Sequence, residues 1–375
     1  MADEFSARCK EILGLLADRH NVLISGPPGT GKSLLLAEVA RAFQLQSQTA
    51  ATHQPNQRVA VADAPVVAGE LGILLPSPTR TDRKVFRTVF HQNSKYRDFV
   101  TGLVPVIKTA ASGGGTSFEV SKGTLYRANE HAMTDQGASL VIIDEINRGP
   151  AVQVFGGSIV AFESDKRLQA DGASGRNTQY FDILTDDGQK EYALAHHVFI
   201  LGAMNQADSS VEPLDVAFLR RWVPYRLNPD EAVLRKELKL QTAAKDLPPV
   251  PTAAEDVYEA AVSAWKAVNA RISLGRGPEF QLGHGVLLNG SNVPTTVDGA
   301  ITRVGESWRV IRAHVDEVFF GDVRGIAAVL NVTGDGSVYA LKQEMFANEP
   351  RLQMVGPDPV PANQLYAFLR AVAGP

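Results

Sequence analysis

The stretch with the clearest chemical capacity is residues 26–33, Gly-Pro-Pro-Gly-Thr-Gly-Lys-Ser. It matches G-x-x-x-x-G-K-[ST], in which glycines let the backbone turn its N–H groups toward a chain of phosphates. Lys32 would then reach the β- and γ-phosphates, and the Ser33 hydroxyl would bind Mg²⁺. An ordinary glycine-rich turn is the alternative. The residues expected to contact the nucleotide are Gly26, Pro27, Pro28, Gly29, Thr30, Gly31, Lys32, Ser33 and Leu34.

A second group of chemically capable residues follows the apolar run 140–143, Leu-Val-Ile-Ile, which ends in Asp144 and Glu145. Adjacent carboxylates at the end of a buried strand can divide two tasks. Asp144 would hold Mg²⁺, and Glu145 would take a proton from the attacking water. Taken alone, the pair would be read as an acidic helix cap, but the phosphate loop upstream favours the catalytic interpretation.

A third apolar run, residues 198–204, ends in Asn205, with Asp208 shortly after it. An amide at this position can orient the attacking water or contact the γ-phosphate, and so sense hydrolysis. A turn-capping asparagine is the alternative. We include both Asn205 and Asp208 among the predicted catalytic residues.

Two arginines, Arg220 and Arg221, close the helical pattern of residues 214–219. In a ring of subunits, an arginine here can reach the nucleotide of the neighbour and stabilise transition-state charge. The alternative is a pair of cations that interact favourably with a helix C-terminus.

These residues require a particular set of elements to position them. The run 22–24 predicts a buried strand before the phosphate loop, and residues 33–43 predict a helix after it. The later runs 140–143 and 198–201 are also apolar on consecutive residues, which is typical of central parallel strands covered on both faces. Strands that alternate with helices predict an α/β fold with a doubly wound parallel sheet.

The pattern changes near residue 228. We predict an α/β nucleotide-binding core over residues 1–228, with a loop-rich insertion at 44–85, and a mostly helical lid domain over residues 229–375. The predicted lid helices are residues 231–240, 253–270, 301–320 and 363–372.

Composition narrows the class of protein. A single cysteine, Cys9, excludes an internal disulfide and fits a reducing cytoplasm. No apolar run approaches the ~20 residues of a membrane span, so no membrane partner is predicted. The net charge of −4 does not indicate nucleic-acid binding by the chain as a whole. The basic residues Arg80, Arg83, Lys84 and Arg87 are read as a solvated face.

The four elements, in this order, resemble the AAA+ superfamily over residues 10–228, and finer motifs resemble its McrB family, the motor subunits of modification-dependent restriction systems. Residues 144–149, Asp-Glu-Ile-Asn-Arg-Gly, are similar to the family's Walker B extension, and residues 204–209, Met-Asn-Gln-Ala-Asp-Ser, to its Met-Asn-Thr-Ala-Asp signature. Residues 96–102 resemble its Tyr-x-Asp-Phe-x-x-Gly segment. Departures are Gly157 and Ser158 in place of Glu and Leu, and Gln206 in place of Thr.

The resemblance continues into the predicted lid. Residues 280–285, Phe-Gln-Leu-Gly-His-Gly, are similar to an Ile-Gly-His element, and residues 315–322 resemble the family's final lid helix. By this likeness His284 would contact the nucleotide, although a lone histidine is more often structural. The pair His196 and His197 lacks spaced partners for zinc. Residues 113–122 are predicted to form a β-hairpin, either plain or facing a pore.

The resemblance implies a homo-oligomeric ring of six subunits that hydrolyses ATP or GTP with Mg²⁺ in the cytoplasm. It also implies a nuclease partner resembling McrC, with DNA engaged through that partner, because no nuclease motif and no N-terminal DNA-reading domain is recognised here. GTP is what the McrB likeness implies, and ATP is what the wider superfamily implies. A MoxR-like chaperone ATPase and a nucleotide-gated assembly scaffold are the rival functions.

Overall fold

The computed structural model describes residues 5–47, 66–67, 75–108, 115–207, 214–242, 246–290, 292–332 and 337–374. The chain divides into two compact units. The first comprises Met1–Ser25 and Lys32–Arg226, and the second comprises Gly26–Gly31 and Leu227–Pro375. The assignment of the two units as a nucleotide-binding core and a lid stays a prediction.

The first unit is built on a five-stranded sheet, whose strands in spatial order are β11 (Val223–Arg226), β1 (Asn21–Gly26), β10 (Val198–Asn205), β7 (Gly137–Asp144) and β4 (Asp82–Val89). Its registered pairs, β1 with β11, β10 with β7, and β4 with β7, are all parallel. This confirms the predicted α/β class.

The central strands are buried along nearly their whole length, as consecutive apolar residues predict for a sheet covered on both faces. Helices supply the cover: Cys9, Ile12, Leu13 and Leu16 of the first helix are all buried. The helices of this unit are α1 (Ala7–Arg19), α2 (Lys32–Phe43), α3 (Tyr96–Phe99), α4 (Thr124–Ala132), α5 (Ala151–Phe155) and α6 (Val216–Leu219).

The first unit also contains short strand pairs outside the five-stranded sheet. Strand β5 (Thr101–Lys108) pairs with β6 (Gly115–Lys122), and β8 (Phe181–Thr185) pairs with β9 (Gly188–Tyr192). The two-residue strands β2 (Gln46–Ser47) and β3 (Val66–Val67) pair in parallel. The prediction of a β-hairpin within 113–122 is wrong in its bounds, because residues 115–122 form one strand and β5 is its partner. Placement of this pair toward a pore stays a prediction.

The second unit is largely helical, and its core packs around Trp265, Trp308 and Phe368. The antiparallel pair β12 (Ala340–Phe346) and β13 (Glu349–Val355) was not predicted, and two helices follow residue 322, so the segment 315–322 does not contain the last helix of the unit. The helices are α7 (Glu231–Glu237), α8 (Ala254–Gly275), α9 (Val297–Val318), α10 (Val323–Val329) and α11 (Ala362–Ala373). None of the described helices is long and apolar enough to cross a membrane.

The basic residues near the start of β4 do not form one solvated face. Arg83 is buried, and its guanidinium donates to the carbonyls of Phe43 at 2.6 Å and Pro76 at 2.8 Å. Burial lowers the pKa of Arg83 to about 10. The solvated-face interpretation is therefore wrong for Arg83. Strand β4 begins at Asp82, inside the predicted loop-rich insertion 44–85, and the insertion itself stays a prediction.

Three histidines, His20, His196 and His197, directly precede strands β1 and β10. His20 ends α1 in a left-handed conformation (φ 67°), is 4% exposed, and stacks on Phe199 with ring centroids 5.0 Å apart. Its ring also meets His196 edge-on at 4.8 Å. Burial, together with the positive charge of Arg167, lowers the pKa of His20 to about 2. The folded chain therefore keeps His20 neutral at any moderate pH.

We expect acid to destabilise the fold through His20. Below pH ~6.5 the unfolded chain binds a proton at this residue, whereas the folded chain does not. The contribution of neutral His20 to the free energy of unfolding is therefore complete above pH ~6.5 and is lost as the pH falls below that value. His20→Phe should reduce the stability lost between pH 7 and pH 5 by about 2 kcal/mol. Urea denaturation at both pH values measures this. Any backbone cost of phenylalanine at a positive φ is the same at both, so equal pH dependence in the two proteins would contradict the prediction.

Candidate active site

The phosphate-loop motif forms a tight turn whose backbone is fixed by internal contacts. The loop follows β1, and Gly29 has a φ of 77°, a region that favours glycine. The Thr30 hydroxyl donates to the carbonyl of Pro27 at 2.9 Å and closes the turn. The sequence pattern thus identifies a loop with the compact backbone that wrapping a phosphate requires.

Residues 283–285, Gly-His-Gly, pack directly on this loop within the second unit. The Gly283 N–H donates to the Pro28 carbonyl at 2.8 Å, and the Gly285 N–H donates to the Gly29 carbonyl, also at 2.8 Å. A Cβ added at Gly283 would lie 2.0 Å from the Gly29 carbonyl carbon, so only glycine fits there. Sequence reasoning singled out His284, quoted the two glycines only as parts of a family motif and missed their contacts with the loop.

His284 is buried beside the phosphate loop. Its Nδ1 accepts a hydrogen bond from the Asp230 N–H at 3.3 Å, and its Nε2 would lie 3.9 Å from a Cβ built on Gly31. The first contact is structural, and the second places the ring against the loop. Contact of His284 with a nucleotide stays a prediction.

The carboxylates predicted from the second motif lie where β7 ends, and Asn205 lies where the neighbouring β10 ends. Because the two strands are parallel, their carboxyl ends meet at one edge of the sheet. The Asn205 Nδ2 donates to Glu145 Oε1 at 2.9 Å. The backbone N–H of Glu145 donates to Asp144 Oδ1 at 3.0 Å. The structure therefore brings Asp144, Glu145 and Asn205 together, and their roles in catalysis stay a prediction.

The conformation of Glu145 is constrained from several sides. Its backbone is left-handed (φ 51°, ψ 45°), a costly region for a residue with a side chain and one often found at functional sites. The Asn147 Nδ2 donates to the Asn205 carbonyl at 2.7 Å and links the ends of the two strands. Glu145 Oε2 lies 3.3 Å from Arg148 Nε. Sequence reasoning quoted Asn147 and Arg148 only as parts of a family motif and missed these contacts.

Lys32, the first residue of α2, shares the electrostatic environment of the two carboxylates. Burial lowers the pKa of Lys32 to about 8, and the negative charges of Glu145 and Asp144 partly oppose that shift. A partly desolvated ammonium gains from contact with negative charge, so this lysine is suited to bind phosphate oxygens. The next residues, Ser33 and Leu34, are exposed, so both side chains are accessible to a ligand.

The two arginines after α6 differ in their surroundings. Arg221 lies with its Nε 3.3 Å from Glu163 Oε1, and its Nη1 donates to the Ala217 carbonyl within the same subunit. Arg220 is exposed, and its guanidinium makes no hydrogen bond or ion pair to a described residue. The remaining predicted site residue, Asp208, lies outside the described residues.

The phosphate-loop motif and a parallel sheet with carboxylates at its edge are features that P-loop proteins of the AAA+ class share. The family described as AAA domain matches residues 17–157. The chain therefore resembles AAA+ proteins, and two relatives indicate a likeness to the McrB family. It is 27% identical over 212 residues to the type IV methyl-directed restriction enzyme EcoKMcrB subunit of Escherichia coli (strain K12). It is 28% identical over 207 residues to the type II restriction enzyme BsuMI component YdiS of Bacillus subtilis (strain 168).

These matches cover part of each protein. They include 56% and 54% of this chain, but only 36% of the Escherichia coli protein and 55% of the Bacillus subtilis protein. Among solved structures, PCH-2 of C. elegans aligns over 81% of this chain and 67% of its own, with a TM-score of 0.34 and 13% identity. A similarity that low has no bearing on function.

Proposed function

We propose that this chain hydrolyses a nucleoside triphosphate, ATP or GTP, with Lys32, Asp144, Glu145 and Asn205 as the residues of the reaction and the phosphate-loop motif as the sequence that binds the phosphates. The observation that carries the proposal is the hydrogen bond from Asn205 Nδ2 to Glu145 Oε1. It holds one carboxylate oxygen in place at the edge of the sheet, which is the arrangement that a general base needs for proton transfer from water.

The residues have separate roles in the proposed reaction. Lys32 binds the β- and γ-phosphates as a cation, Glu145 takes a proton from the attacking water, and Asn205 keeps the glutamate oriented. An arginine from a neighbouring subunit stabilises the charge that develops on the transferred phosphoryl group.

A magnesium ion fits the residues present. Ser33 and Asp144 offer a hydroxyl and a carboxylate, the oxygen ligands that Mg²⁺ takes in phosphate-transfer sites. Among the described residues, no group of three or more His, Cys, Asp and Glu side chains could hold a metal by itself. This suits an ion that completes its coordination with phosphate oxygens and water. When bound, the ion would neutralise charge on the phosphates.

The biological role that we propose is the McrB-like motor subunit of a cytoplasmic restriction or antiphage defence system. The chain would form a hexameric ring and act on DNA through a nuclease partner resembling McrC. The support is the similarity to restriction components in two bacteria, together with the Asp-Glu-Ile-Asn-Arg run and the Gly-His-Gly contact on the phosphate loop.

The test is steady-state phosphate release from ATP and from GTP, with Lys32→Ala as control. We expect release from at least one of the two nucleotides, and loss of that activity by about 10²-fold or more in Lys32→Ala, because the phosphates lose their cation. Hydrolysis restricted to GTP supports the McrB-like role. Preference for ATP, with stimulation by a protein client, favours the MoxR-like alternative. If the chain bound nucleotide but hydrolysed none in any assembly state, the nucleotide-gated assembly scaffold would be the function that remains.

A further inference from the structure

Arg303 of α9 is a buried cation with much of its hydrogen-bonding capacity unused. It is 7% exposed. Its Nη1 donates to the Asn292 carbonyl at 2.5 Å, and its Nη2 lies 3.5 Å from the Leu287 carbonyl, the outer limit for a hydrogen bond. Its Nε has no acceptor among the described residues. A guanidinium carries five N–H donors, so most of those of Arg303 remain available.

Arg235, another buried arginine of the same unit, has its positive charge compensated by carboxylates. The Nη1 and Nη2 of Arg235 donate to the two carboxylate oxygens of Glu259 at 2.8 and 3.1 Å, and its Nε donates to Glu231 at 2.8 Å. Burying a cation without a counterion is costly. Within the described part of the chain, no carboxylate forms an ion pair with Arg303. Its surroundings therefore suit an anion from outside the chain.

Arg303 also lines a cavity of about 430 Å³ in the second unit, a volume typical of small-molecule sites. The cavity reaches the surface at Glu237 and Lys239, which are exposed. Lys239 follows α7 in a left-handed conformation (φ 57°), where glycine is usual. The other lining residues are Leu288, Gly290, Asn292 and Val293.

We propose that this cavity binds a phosphate group, with Arg303 and Lys239 as its cationic contacts. The planar fork of a guanidinium matches two phosphate oxygens at once, and the lysine ammonium adds a point charge at the mouth. Glu237 is the one carboxylate of the lining, and its charge weakens the binding of an anion. None of the residues proposed for hydrolysis lines this cavity.

The experiment uses the full chain with Lys32→Ala, so that the phosphate loop lacks its lysine. We expect about 20 mM inorganic phosphate to raise the Tm by about 3 °C over chloride at equal ionic strength, because a ligand that binds only the folded state stabilises it. Adding Arg303→Met should abolish the rise. Glycerol phosphate in a second arm distinguishes the source: tighter binding than inorganic phosphate indicates an organic phosphomonoester, and equal binding indicates the free ion.

Two surface variants keep the proposal testable if Arg303→Met does not fold. Lys239→Ala should weaken phosphate binding about threefold, and Glu237→Gln should strengthen it about threefold, because each changes one exposed charge at the mouth. Lys236→Ala, an exposed lysine of α7 that does not line the cavity, is the matched control and should change nothing. An equal rise in Tm in all variants, or no rise beyond chloride, overturns the proposal.

Discussion

Replacing Glu145 by glutamine is expected to lower the rate of nucleotide hydrolysis by about 10²-fold or more and to change nucleotide affinity by less than about threefold. The amide keeps an oxygen that can accept the hydrogen bond from Asn205 Nδ2, so the geometry at the ends of β7 and β10 is preserved. What the amide cannot do is take a proton from water. The variant therefore separates the chemistry of the carboxylate from its position.

The measurement pairs steady-state phosphate release with equilibrium binding of a fluorescent nucleotide. Glu191→Gln is the matched control, because it removes an exposed carboxylate of β9 by the same chemical change. Asn205→Ala should have a smaller effect, about tenfold, since Glu145 keeps its charge but loses the contact that orients it. A Glu145→Gln protein that hydrolyses at close to the wild-type rate would show that another group activates the water.

The position of this site could be predicted from sequence because the signals are local. Consecutive apolar residues predict buried parallel strands, and side chains that directly follow such strands must meet at one sheet edge. That reasoning sufficed for Asp144, Glu145 and Asn205, whose contacts span about 60 residues of chain. Lys32 follows in the same way from the phosphate-loop pattern.

Other features could not be predicted because they depend on contacts between distant segments, which leave no periodic pattern in the sequence. Arg83 looked like one of several surface cations, and only the carbonyls of Phe43 and Pro76, which come from separate segments, make it a buried structural residue. The packing of Gly283 on the phosphate loop is a contact across more than 250 residues of chain, and spacing gives no sign of it. The β12–β13 pair has two largely exposed strands, so it lacks the alternation of buried and exposed positions that identifies a strand.

Of the paired arginines, Arg220 rather than Arg221 is expected to act on the neighbouring subunit. Arg221 is held within its own subunit by Glu163 and the Ala217 carbonyl, whereas Arg220 is exposed and its guanidinium makes no bond to a described residue. Arg220→Ala should therefore lower hydrolysis by about 10³-fold with nucleotide affinity retained, as removal of a trans-acting arginine does elsewhere. Arg221→Ala should act mainly on stability, because it breaks a partly buried ion pair at the end of α6.

Mixing two inactive variants tests whether Arg220 acts between subunits. An Arg220→Ala subunit has an intact site of its own, and a Glu145→Gln subunit still offers Arg220 to its neighbour. In a head-to-tail ring, random mixing of equal amounts places the two in productive order at about a quarter of the interfaces, so about a quarter of the wild-type rate should return. If Arg220 acted within its own subunit, no pairing of these variants would contain a complete site and the mixture would stay inactive. Recovery of activity from two inactive variants would therefore support both the ring and the action of Arg220 between subunits, and a mixture without activity would contradict them.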